Sequence, residues 1–87
     1  MNKYIAVFKT LSYAGRAKNE FAEQNRPETI KTPRSVEGGC SYSLAFNESQ
    51  LEIMKKIVSR QYRGFLGIYR QTLRGTYESI ENLGERK

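Results

Sequence analysis

The chain has no histidine, no tryptophan and no aspartate; all nine acids are glutamate. Without histidine, no Ser-His-Asp or Cys-His pair can form, and no histidine-containing zinc site either. A single cysteine cannot close an intramolecular disulfide or supply the several thiolates of a cysteine-rich metal site. No Gly-rich phosphate loop is present, since Gly38-Gly39 alone is too little. No apolar run approaches the ~20 residues of a membrane span. Met1–Phe8 holds Lys3 and then an apolar run of only five residues, too short for a signal peptide. A lone cysteine without a leader points to the reducing cytoplasm. The expectation is a chain without metal or cofactor, whose chemistry rests on one thiol, on Glu, or on Lys, Arg and Tyr.

What is present fits one small globular domain. At 87 residues there is no room for two cores, and a homodimer would add stability at this size. Fifteen Lys and Arg against nine Glu give +6. The charge is even along the chain: residues 1–46 carry seven bases and four acids, residues 47–87 eight and five. The stretch Ile53–Tyr77 has no acid but holds Lys55, Lys56, Arg60, Arg63, Arg70 and Arg74. Such a face suits nucleic acid or an acidic protein, or is simply solvated.

Tyr4-Ile5-Ala6-Val7-Phe8 reads as a buried central strand. Leu11, Ala14, Ala17 and Phe21 then recur at spacings of three and four, which predicts an amphipathic helix over residues 12–25. Thr10 or Ser12 caps its start, and Asn25 with Pro27 ends it. Residues 28–32 read as an edge strand before Pro33. Cys40, Tyr42, Leu44 and Phe46 alternate with Ser41, Ser43 and Ala45, as in a half-buried strand. Asn47 with Gln50 forms a capping box, and Phe46 with Leu51 a hydrophobic staple. The following helix buries Leu51, Met54, Ile57 and Val58 and runs to about Gln61. Phe65–Tyr69 is a last strand.

The order β-α-β-β-α-β predicts an α+β, ferredoxin-like sandwich over residues 1–70, with one antiparallel sheet and both helices on one face. The first and third strands are central. Residues 71–87 form a C-terminal extension; Leu73, Tyr77, Ile80 and Leu83 are spaced for a short helix over 76–83, although Gly75 weakens a longer one.

In this topology Cys40 opens the third strand beside the end of the first strand and the start of the first helix. Thr32, Pro33 and Arg34 end the second strand there, and Arg63 precedes the fourth. A helix N-terminus, Arg34, Arg63 and the amides around Gly38 and Gly39 all favour a thiolate. This makes Cys40 a candidate nucleophile or carrier thiol. The alternative is a small buried hydrophobe, in line with the face it shares with Tyr42, Leu44 and Phe46.

The segment Thr32-Pro33-Arg34-Ser35-Val36-Glu37-Gly38-Gly39-Cys40-Ser41, followed by the apolar strand to Phe46, resembles a bacterial and archaeal family of selenium/sulfur carrier-like proteins (DUF3343). The resemblance covers roughly residues 3–70. The chain departs from it at Ser41, where the family usually has glycine. The resemblance implies that Cys40 carries sulfur or selenium as a persulfide or selenosulfide. It implies a protein partner as donor, a pyridoxal-phosphate cysteine desulfurase or a selenocysteine lyase. Thr32, Pro33 and Arg34 would shape the thiol's pocket, with Gly38, Gly39, Ser41 and Arg63 around it. A carrier needs no general base of its own, because the donor enzyme breaks the difficult bond.

Two other readings remain open. Arg63-Gly64-Phe65-Leu66-Gly67-Ile68-Tyr69 begins like an RNA-recognition signature, and Tyr42, Phe65 and Tyr69 would then have to supply the stacking platform. The other is an assembly module without chemistry, dimerising through a sheet edge or the extension. A stand-alone enzyme is the weakest reading, since Glu20 and Glu23 lie on the polar side of their helix.

Overall fold

The computed structural model describes residues 3–36, 41–59 and 63–80. Five strands and two helices follow in the order β1 (Lys3–Phe8), α1 (Leu11–Lys18), β2 (Glu28–Lys31), β3 (Tyr42–Asn47), α2 (Glu48–Val58), β4 (Phe65–Gln71) and β5 (Tyr77–Ser79). They build one antiparallel sheet in the order β2-β3-β1-β4-β5. Strands β1–β4 give the ferredoxin-like α+β arrangement, and β5 adds an edge.

Both helices bury their apolar residues on one face of the sheet. Tyr4, Ala6 and Phe8 of β1, Leu44 and Phe46 of β3 and Ile68 of β4 form a cluster with Ala14, Ala17, Phe21, Met54, Ile57 and Val58. Tyr4 and Phe46 stack with ring centroids 5.6 Å apart, and Phe8 meets Phe65 at 5.7 Å. The alternate residues of β1, Ile5 and Val7, are buried on the opposite face.

The start of α2 is built as a capping box: the Asn47 N–H donates to Gln50 Oε1 at 3.0 Å, and the Ser49 N–H donates to Asn47 Oδ1 at 3.1 Å. Gln50 Nε2 also donates to the Asn25 carbonyl at 2.8 Å, tying α2 to the turn before β2. A capping residue is worth about 1 kcal/mol.

Three expectations are corrected. First, α1 ends at Lys18, and the chain turns through a 3₁₀ segment, Glu23–Asn25, before β2. Successive tight bonds, Glu20 N–H to Ala17 O and Phe21 N–H to Lys18 O, end the helix yet keep Phe21 in the core. Leu11 is 52% exposed rather than part of the buried stripe. Helical side chains lean toward the N-terminus, so the first residue of α1 overhangs the sheet end.

Second, the C-terminal residues make a hairpin where a helix over 76–83 was expected; 81–83 lie outside the described residues. Thr72 N–H donates to Thr76 O at 2.7 Å and Gly75 N–H to Thr72 O at 3.0 Å. Gly75 takes φ +86°, the left-handed geometry a three-residue hairpin loop requires. Strand β4 runs through Gln71 and is an internal strand, so residues 71–80 belong to the sheet rather than to an appendage. Arg70 and Glu78 pair across the hairpin, and this hydrogen-bonded carboxylate holds the guanidinium pKa above its ordinary value. Third, Ser41 and Ser43, on the face of β3 expected to meet solvent, are both buried.

Strand β4 carries one irregularity. Val7 pairs with Gly67 and Phe8 with Phe65, so Leu66 has no partner opposite it in β1. This is a β-bulge. Just before it, Gly64 has φ +81°, and a Cβ there would stand 2.2 Å from Tyr13 Cδ2. Its carbonyl accepts from the Lys9 N–H at 2.8 Å. Gly64→Ala therefore meets both backbone strain and a ring it cannot displace cheaply. We expect a loss of about 2–3 kcal/mol in chemical denaturation. Gly75→Ala, with open space around it, should lose only about 1 kcal/mol. Equal losses for the two would show that the Tyr13 contact contributes nothing.

Candidate functional site

The C-terminal end of β1 lies at the same sheet end as Thr32, Pro33, Arg34 and Ser41. Thr10, two residues beyond β1, caps α1, its Oγ1 accepting from the Tyr13 N–H at 3.2 Å. In β3, Tyr42 lies opposite Phe8, so the chain before it enters the sheet at this end. Ser41, the residue after Cys40, is anchored to β2 by its carbonyl, which accepts from the Thr32 N–H at 3.3 Å. Pro33 and Arg34 follow in a turn closed by the Val36 N–H on the Pro33 carbonyl at 3.0 Å. On the far side of β1, Arg63 leads into β4 through Gly64.

Thr32, Pro33 and Ser41 are thus direct neighbours, and α1 starts beside them. Arg63 stands further off, because β1 lies between β3 and β4; two strand spacings are about 10 Å. Cys40, Gly38 and Gly39 lie outside the described residues. Cys40 immediately precedes Ser41 in the chain.

Three hydroxyls line the buried side of this end. Thr32 Oγ1 and Ser43 Oγ are 2.7 Å apart and buried. Ser41 Oγ, also buried, has no hydrogen-bond partner among the described residues. Sequence reasoning placed Ser41 and Thr32 at the site but missed Ser43. The alternation of β3 was the available signal, since it puts residues 41 and 43 on one face. An unsatisfied buried hydroxyl is costly, while a satisfied pair is not. We expect Ser41→Ala to leave stability unchanged or raise it by up to about 1 kcal/mol, and Ser43→Ala to lower it by about 1–2 kcal/mol because Thr32 loses its partner. Thermal or denaturant unfolding of the two variants measures this, and a loss in Ser41→Ala as large as in Ser43→Ala would contradict it.

Three exposed cations mark this end, with Glu20 lining the same cleft as Arg63. Lys9, Arg34 and Arg63 are exposed. The ion pairs seen among the described residues, Lys55–Glu52 and Arg70–Glu78, involve none of the three. No group of three or more candidate metal ligands occurs among the described residues. No described helix is long and apolar enough to cross a membrane.

Clefts are formed among the described residues at the opposite end of the sheet and along α1. One of about 590 Å³ sits at the opposite end of the sheet, between Lys3, Ile5, Arg26, Glu28, Ala45 and Tyr77, and touches none of the sequence-derived site residues. A second, of about 360 Å³, runs along α1 between Tyr13, Arg16, Asn19, Glu20 and Arg63. The aromatic platform required for RNA is not assembled. Tyr42 and Phe65 pack against the core beneath the helices, while Tyr69 lies on the opposite face, with its ring over Gly67.

The fold and this end of it define a class: a small ferredoxin-like protein with a Thr-Pro-Arg segment after its second strand and exposed cations at that sheet end. The chain belongs to the family described as "Putative Se/S carrier protein-like", whose model matches residues 3–70. No curated protein and no solved structure matches it.

Proposed function

We propose that the chain is a sulfur or selenium carrier that holds its cargo on Cys40, and that it catalyses no reaction of its own. One observation carries this reading in a chain of that family. The residue bonded to Cys40 is fixed by Thr32 at the sheet end where α1 begins and where Arg34 stands exposed. Helix N–H groups and a nearby cation both stabilise an anionic sulfur.

The transfer is a thiol exchange at the persulfide level. The Cys40 thiolate attacks the terminal sulfur of a persulfide on the donor enzyme. A new bond forms between Cys40 Sγ and that sulfur. The donor's S–S bond breaks, and its electron pair leaves on the donor cysteine as thiolate. The proton stays with the transferred sulfur or is lost to solvent, and there is no net oxidation. Selenium moves by the same exchange, giving a selenosulfide. The donor is a cysteine desulfurase or selenocysteine lyase, and both partners work in the reducing cytoplasm, where a persulfide is exchanged rather than locked into a disulfide. Basic surroundings assist at each stage, because the anion is both the attacking and the leaving form.

The test is intact-mass spectrometry after incubation with a cysteine desulfurase and cysteine. Wild type should gain one sulfur atom, and Cys40→Ser none, with its unfolding midpoint unchanged. In the folded protein, alkylation of Cys40 should titrate with a midpoint below the ~8.5 of a model thiol. A mass gain that persists in Cys40→Ser, or a thiol that reacts only after unfolding, would defeat the proposal.

A further inference from the structure

We propose that the sheet end where β1 meets α1 is the docking surface for the donor enzyme, and that the enzyme's matching face carries carboxylates around an apolar depression. This rests on the carrier reading for the partner's identity but not for the surface itself.

Two leucines stand out here. The bulge in β4 leaves Leu66 outside the ladder with β1, 43% exposed, beside the Val7–Phe8 pairings. Leu11 opens α1 at 52% exposure, three residues after Phe8. Bulges re-aim side chains beside functional sites, and two exposed leucines at one sheet end offer apolar area that a partner can cover.

Lys9, Arg34 and Arg63 are exposed at the same sheet end; among the described residues of its segments (9–12, 32–36, 41 and 63–66) none is acidic, and Glu20 of the α1 cleft is the acid that shares a lining with Arg63. Such a patch repels a second copy of itself, so a like-to-like dimer through it is disfavoured. It attracts a partner whose contact face is acidic, and positive rims act mainly on association rate and salt dependence. The leucines supply the part that must be desolvated. The cleft at the other end of the sheet has mixed charge, Lys3 and Arg26 with Glu28, and offers no comparable single-sign match.

The experiment measures binding separately from chemistry. The full chain carrying Cys40→Ser is titrated calorimetrically against a purified, pyridoxal-phosphate-loaded cysteine desulfurase at low and high salt. Binding that weakens with salt, and at least tenfold in Leu66→Glu, supports the proposal. Leu73→Glu is the control, since Leu73 is fully exposed in the β4–β5 turn at the opposite end. Equal weakening by Leu66→Glu, Leu11→Glu and Leu73→Glu would overturn the surface, as would no binding at all. So would salt-dependent binding of a single-stranded RNA oligomer that Arg34→Glu abolishes and Leu66→Glu leaves intact.

Glutathione persulfide, which needs no docking, separates this from the carrier reading. If wild type takes sulfur from that small donor but the enzyme does not bind, the surface falls and the carrier stands. If the enzyme binds through Leu66 but Cys40 accepts sulfur from neither donor, the carrier falls and the surface stands.

Discussion

Strand β1 is the constraint on which the other elements depend. Five consecutive residues, Tyr4–Phe8, are buried, and the strand is hydrogen-bonded on both sides, to β3 and to β4. Its even residues seat the helices and its odd residues are buried on the opposite face. Its end then decides what meets there. The turn into α1, the entry into β3 and the entry into β4 all fall within a few residues of Phe8. A strand buried on both faces cannot slip by one residue without exchanging its two apolar sets. The relative positions of Thr10, Ser41 and Gly64 are therefore set by the core and not by the loops that carry them.

That convergence gives the site its electrostatic character without any titrating base. With no histidine in the chain, an anion at this end would meet fixed charges and peptide dipoles, not an imidazolium. Such a stabiliser does not switch off near neutral pH, as an imidazolium would. Fixed cations and dipoles also accept no proton, so they cannot act as a general base.

Much of this was legible in the residues. The burial of β1 follows from its unbroken β-rich run. The start of α2 follows from Asn47 and Gln50, whose side chains need nothing distant to cap the helix. The meeting of Thr32 with Ser41 follows from topology alone once four strands are placed. Other features depended on contacts that no local pattern carries. Leu73, Tyr77 and Ile80 are spaced for a helix, but Gly75 takes a left-handed turn and β4 offers an open edge, so the chain folds back as a hairpin. The bulge at Leu66 is visible only when β4 is set against Phe8. The serines of β3 look like a solvent face by alternation, whereas Ser43 is closed in with Thr32.

The same hairpin governs how the sheet ends. Without β5, the seven-residue β4 would offer a long row of unpaired peptide groups at the margin. With it, the margin on that side is a strand of only three residues carrying Glu78, while the other margin, β2, has four with Glu28 and Lys31 exposed. Short, charged borders are poor templates for strand addition by another chain. The protein can thus keep an apolar, two-sided central strand at high concentration while denying sheets of other molecules a place to continue the ladder.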